Sequence, residues 1–244
     1  MENPPSLYDT LVQGLRPHRN WLDRRHLKTV AGMMGGLIHS GSIRLCAWAP
    51  FVVSRARYSQ STVRRFRRWL DNDKSEGHPL YGPLLQQALI GWVDKTLSVA
   101  LDTAMWWHTY CMVRLSVISR GRAVPWVWDV LEPGSAMVAY DVSKALLDQA
   151  NPLMPVACQV GFLADRGVTD TELRRPLKRL GWHFRLRITS NFWRDRPGHE
   201  GGQVRTISLA CGQARFWPGV LLTIQRCGPV HLAVARPWAS DEYW

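Results

Sequence analysis

Over residues 1–95, apolar side chains recur three and four positions apart, the spacing of helices that bury one face. Candidate helices run from Asp23 to Ile38, from Gln60 to Asn72 and from Pro83 to Leu97, separated by Gly-Ser, Ala-Pro and Gly-His-Pro breaks. From about Leu97 the pattern changes to short strand-like runs: Ser98 to Leu101, Tyr110 to Ile118 and Ala123 to Val130. Ser119-Arg-Gly-Arg122 between the last two reads as a hairpin turn, so the three strands form an antiparallel meander. A helix from about Val138 to Ala150, stopped by Asn151-Pro152, leads to a buried strand from Val160 to Ala164, a helix from Asp170 to Leu180 and a strand from Trp182 to Ile188. Beyond Ser190 the pattern loosens into Gly, Arg and short runs at Thr206 to Ala210, Val220 to Gln225 and Val230 to Ala235, which predict a β-rich insertion.

The order β-β-β-α-β-α-β is the layout of a ribonuclease-H-like α/β domain, in which the first and fourth strands are neighbours. Asp102 and Asp165 each close an apolar run, in Val-Ala-Leu-Asp102 and Gly-Phe-Leu-Ala-Asp165, and so are expected at the ends of those two strands. The layout would bring them side by side. Carboxylates fixed at strand ends are the hard oxygen donors that Mg²⁺ sites of phosphoryl-transfer enzymes need. The expected fold is thus a ribonuclease-H-like mixed sheet with an all-helical N-terminal domain and a β-rich insertion, divided into residues 1–95, 96–190 and 191–244.

A hydrophobic content of 46% is enough to bury a sizeable core and argues against disorder. The formal charge of +12 points to a polyanionic partner, with nucleic acid ahead of an anionic membrane. No apolar run approaches the roughly 18 residues of a membrane span, and Met-Glu-Asn-Pro-Pro lacks the basic and apolar regions of a signal peptide, so a cytoplasmic location is expected. Cys46, Cys111, Cys158, Cys211 and Cys227 are scattered and odd in number, which predicts reduced thiols rather than disulfides or a zinc site.

The stretch Leu101 to Ser135, beginning Leu-Asp-Thr-Ala-Met-Trp-Trp-His, resembles the catalytic core of bacterial insertion-sequence transposases of the DDE type. Phe-Leu-Ala-Asp-Arg-Gly at Phe162 to Gly167 and Leu-Gly-Trp-His-Phe-Arg-Leu-Arg-Ile at Leu180 to Ile188 extend the likeness to most of residues 20–240. The resemblance implies that Asp102 and Asp165 are the first two catalytic, metal-binding acids, with Mg²⁺ (or Mn²⁺ in its place), and that Arg166 and Gly167 complete the second motif. It also implies double-stranded DNA as partner, both terminal inverted repeats and target, a homodimer on paired ends, and a bacterial, nucleoid-associated protein. The family's third acid, a glutamate on a helix within a Tyr, Arg, Glu, Lys signature, has no counterpart. Asp241 and Glu242 read as a solvated turn, and the chain as truncated before that helix.

Gln60-Ser-Thr-Val-Arg-Arg-Phe-Arg-Arg-Trp-Leu70 places Val63, Phe66 and Leu70, with Trp69 beside them, on an apolar stripe, while Arg64, Arg65, Arg67 and Arg68 project elsewhere. Ser59 or Ser61 could cap its start. Such a helix suits a helix-turn-helix whose arginines reach phosphates or guanine edges; a solvated basic helix is the plain alternative. Most of the 13 tryptophans are expected in the core or on the sheet, and His108 and His183 as structural histidines. The resemblance makes Trp193 or Trp217 a candidate for stacking on a flipped base. A catalytically silent, end-binding inhibitor of transposition is the main rival, and a structure-selective nuclease of the same fold the lesser one.

Overall fold

The computed structural model describes residues 6–16, 24–54, 56–72, 77–107, 109–132, 140–165, 171–196, 199–222 and 227–238. Two compact units emerge, Met1–Gly91 and Trp92–Trp244.

The described residues of the first unit form helices α1 (Leu7–Leu15), α2 (Arg24–Ser40), α3 (Leu45–Trp48), α4 (Ser59–Leu70) and α5 (Gly77–Leu89). Ser6 caps α1 by accepting the Asp9 N–H, which satisfies one of the donors a helix leaves open at its start. Helix α2 buries Leu27, Val30, Ala31 and Met33. Gly36 is required there, because a Cβ would lie 2.5 Å from Cβ of Trp48. Trp48, Val52, Met33 and the fully buried Phe66 form one cluster, which seats α4. The expected helix from Pro83 to Leu97 lies earlier: α5 starts at Gly77, within the expected Gly-His-Pro break, and ends at Leu89, a 3₁₀ turn spans Ile90–Trp92, and Leu97 is already in a strand.

The second unit is mixed α/β. Strands β1 (Thr96–Trp106), β2 (Tyr110–Ser119), β3 (Arg122–Leu131), β4 (Gln159–Ala164) and β5 (His183–Leu186) form a mixed sheet in the order β3-β2-β1-β4-β5. The meander β1-β2-β3 is antiparallel, and β4 and β5 join parallel to β1. The β2–β3 turn places Arg120 and Gly121 at φ 50° and 74°, the two left-handed positions of a type I′ hairpin. Alternate positions Leu97, Val99 and Leu101 of β1, Val113 and Leu115 of β2, and Val160 and Phe162 of β4 are buried. Helix α6 (Tyr140–Ala150) packs on β2 and β3, burying Leu146 and Leu147, and α7 (Arg174–Arg179) packs on β5 after a 3₁₀ turn at Thr171–Leu173.

A second, antiparallel sheet holds β6 (Trp193–Arg196), β7 (His199–Gln203), β8 (Ala214–Leu222) and β9 (Cys227–Ala235) in the order β7-β6-β8-β9. The expected strand from Thr206 to Ala210 is absent: Val204–Thr206 is a 3₁₀ turn and residues 207–210 join no ladder. Ile207 and Leu209 are nonetheless buried in the cluster under this sheet with Val220, Leu222, Leu232 and Val234. Their alternation reflects packing, not strand pairing. No helix among the described residues is long and apolar enough to cross a membrane.

Candidate active site

Of the two aspartates expected side by side, Asp102 lies in β1 and Asp165 directly follows its parallel neighbour β4. The β1–β4 register runs Val99↔Phe162 and Leu101↔Ala164, so the next position of each chain carries Asp102 and Asp165. The expectation that Asp102 ends a strand needs correction. Strand β1 continues to Trp106, and only its pairing with β4 stops at Leu101. A carboxylate can sit within β1 because the open face leaves it hydrated and β2 offers a counter-charge: Asp102 is paired in register with Arg114, whose Nη2 donates to its Oδ2 at 3.1 Å.

Asp165 has a matching arrangement on its other side. The β4–β5 register ends at Ala164↔Leu186, the Arg187 N–H donates to the Ala164 carbonyl at 2.9 Å, and Arg187 Nη1 approaches Asp165 Oδ1 to 3.5 Å. Across β2, β1, β4 and the end of β5, the side chains thus run Arg114, Asp102, Asp165, Arg187: two carboxylates flanked by two guanidinium groups. The carboxylates are the wetter members, at 56% and 67% side-chain exposure against 30% and 26% for their arginines. In that setting each ion pair contributes at most about 1 kcal/mol.

This row lines a cleft of about 1160 Å³ in the second unit. Arg174 and Arg185 also line it, so four arginines face two aspartates. Arginines thus outnumber carboxylates in the cleft lining. Its remaining wall is apolar and includes Leu163, Phe192, Phe216 and Val230. Ser116, 1% exposed, also lines it, with an Oγ that has no hydrogen-bond partner among the described residues.

The donors fit Mg²⁺. It is held in such sites by one or two carboxylates, several waters and substrate phosphate oxygens, and both carboxylates are open to water on the same sheet face. Among the described residues, no group of three His, Cys, Asp or Glu side chains gathers to complete an all-protein shell.

Neither candidate tryptophan lines the cleft. Trp193, on β6, is 44% exposed and lies against Gly201 of β7. Trp217, on β8, packs on the small sheet's core beneath the Arg194 guanidinium, 5.7 Å from the ring centre. The aromatic residues of the cleft wall are Phe184, Phe192 and Phe216, the last 63% exposed with the His231 ring 5.5 Å away. The β8 alternation that turns Trp217 inward and Phe216 outward was the available signal. His183 is exposed at the start of β5. Arg166, Gly167, His108, Asp241 and Glu242 lie outside the described residues.

The basic helix α4 belongs to the first unit. Arg64, Arg65, Arg67 and Arg68 are all exposed, and none forms an ion pair among the described residues. The buried face is Thr62 and Phe66 with Val63 and Trp69 half-buried, so the expected stripe is corrected at one end: Leu70 is 51% exposed. Neither Ser59 nor Ser61 caps the helix. Tyr58 holds the cap position with no side-chain bond, and Ser59 is the first helical residue. Of the cysteines, Cys46, Cys111, Cys158 and Cys211 are free thiols, and burial raises the pKa of Cys158. Compared with protein families, curated proteins and solved structures, the chain gives no match.

Proposed function

We propose that this chain is a DNA transposase of the DDE type, with a ribonuclease-H-like catalytic sheet, a helical DNA-binding unit and Mg²⁺-dependent cleavage and strand transfer at the ends of a mobile element. The observation that carries the proposal is the adjacency of Asp102 and Asp165, 63 positions apart in sequence, at the end of the β1–β4 pairing. The order β3-β2-β1-β4-β5 supports the ribonuclease-H-like reading. In this reading Asp102 and Asp165 hold Mg²⁺, with Mn²⁺ as a substitute, which supplies Lewis-acid activation of water and neutralises charge on the scissile phosphate. Arg114 and Arg187 pair with the carboxylates in the free chain and exchange them for the non-bridging phosphate oxygens when DNA binds. Arg64, Arg65, Arg67 and Arg68 neutralise phosphates of the terminal repeat. The working form is a homodimer on paired ends in the cytoplasm.

The test is nicking of terminal-repeat DNA in Mg²⁺. Wild-type chain cuts, whereas Asp102→Asn and Asp165→Asn each reduce cutting to background. Cutting that survives both substitutions contradicts the assignment. A second reading is favoured by the ion pairs themselves: Arg114 and Arg187 already occupy both carboxylates. A site that keeps those pairs would bind element ends without cutting them, as an inhibitor of transposition. Binding with no nicking at any Mg²⁺ or Mn²⁺ concentration selects this reading.

A further inference from the structure

Strands β1 and β2 run on beyond the body of the sheet, and their extension carries an aromatic face. Past Leu101, β1 pairs only with β2 among the described residues, as a ribbon flanked by the end of β3. Residues directly opposite each other in a ladder share a face. Asp102↔Arg114 is followed outward by Ala104↔Met112 and Trp106↔Tyr110, and β3 adds Trp128 beside Arg114 and Val130 beside Met112. The face bearing Asp102 thus continues for four residues of β1, about 13 Å, and ends in aromatic rings.

Two of these rings are open to solvent, Trp106 at 54% and Tyr110 at 46% exposure, with Val130 52% exposed beside them and Trp128 half-buried. On the opposite face Cys111 and Val113 of β2 are buried, while Met105 of β1 is 59% exposed. At the tip, Trp107 is 85% exposed and sits at φ 48°, a region that a bulky residue rarely adopts. Its ring lies 5.8 Å from that of Trp106. A turn that holds two indoles in water is not using them for the core.

We infer that this ribbon face, Trp106, Tyr110 and Trp128 leading to Arg114, is a track for unpaired nucleotides of single-stranded DNA. The inference rests on the proposed DNA-processing role of Asp102. Base stacking on aromatic side chains beside a cationic groove is how single strands are bound without regard to sequence. Both parts are present in order along one face: rings at the tip, then Arg114 and the four-arginine cleft. An apolar protein partner would not explain why the rings lead into a cleft lined by four arginines. Bases stacked on the tip would set the phosphates that follow them at Arg114 and Asp102.

The experiment uses the full chain in EDTA, with a fluorescein-labelled oligo(dT) strand and a duplex of the same length, followed by anisotropy at fixed salt. Trp106→Ala combined with Tyr110→Ala should weaken single-strand binding about tenfold or more and leave duplex binding within about twofold. Trp106→Phe with Tyr110→Phe, which keeps the π faces, should restore it. A 2-aminopurine base in the strand should be quenched on binding the wild-type chain, which reads stacking even if the alanine variant does not fold. Unchanged single-strand affinity in the alanine variant, or no 2-aminopurine quenching by wild type, overturns the inference. So does a fall in oligomeric mass with single-strand affinity intact, which would make the face an interface between copies of the chain. Because no metal or cleavage is involved, the two proposals fail separately. An aromatic-dependent track on a chain that never nicks DNA removes the transposase reading alone, and Asp102-dependent nicking with alanine-insensitive single-strand binding removes the track alone.

Discussion

The arginines of α4 and those of the cleft are the same residue type in opposite settings. On α4, Arg64, Arg65, Arg67 and Arg68 stand exposed on a helix anchored by one fully buried ring, Phe66, and no carboxylate among the described residues pairs with them. In the cleft, Arg114 and Arg187 are about one-quarter to one-third exposed, and each is engaged by an aspartate on the adjacent strand. A guanidinium with no carboxylate partner can meet an added anion without first giving one up, and such a contact would be salt-dependent. One already paired must exchange its carboxylate for a ligand, so it acts on geometry and on the charge its aspartate presents. The count of positive residues cannot separate the two; strand register does.

The largest effects should come from removing what supports each set. Phe66→Ala should cost about 3–5 kcal/mol in urea unfolding and release the α4 arginine face. Phe162→Ala, beneath the β1–β4 pairing, should cost a similar amount and loosen the two aspartates. Unaltered unfolding midpoints in either variant would mean that the ring is not a seat for its arginines. Next in size, alanine at Arg64, Arg65, Arg67 and Arg68 together should flatten the salt dependence of duplex binding, by about 0.9 in the log–log slope for each phosphate no longer neutralised. A slope equal to wild type would leave that face merely solvated. The smallest effect is expected at the paired arginines: Arg114→Gln should change stability by about 0–1 kcal/mol and tighten Mn²⁺ binding a few-fold, because a positive charge leaves Asp102. Weaker Mn²⁺ binding in that variant would show that Arg114 serves the site by positioning Asp102 rather than by competing for it.

The central sheet was legible because its chemistry is periodic. Leu97, Val99, Leu101 and Val160, Phe162, Ala164 alternate as strands buried on one face, and the meander with a parallel fourth strand follows from turn residues and helix lengths. The adjacency of Asp102 and Asp165 was readable from that order. What was misread was the reach of β1, because an aspartate followed by Thr103-Ala104 resembles a stop; the pairing partner Arg114, twelve residues on, keeps the strand going. The flanking arginines were missed for the same reason, since cross-strand partners are set by register and not by spacing along the chain. Strands β6 and β7, Trp-Arg-Asp-Arg and His-Glu-Gly-Gly-Gln, carry no apolar alternation, whereas Ile207 and Leu209 alternate without pairing. In the first unit, α1 and the single turn of α3 escaped notice because short helices are fixed by what they pack on, Leu15 against α2's Leu27 and Trp48 against Phe66.

The claim at the centre of this account is that Asp102 and Asp165 act as one divalent-cation site. Mn²⁺ binding followed by electron paramagnetic resonance, with duplex DNA present, tests it most directly on the wild-type chain, Asp102→Asn and Asp165→Asn. The account predicts a bound-Mn²⁺ signal that either substitution abolishes; a signal that persists unchanged in both variants would contradict it.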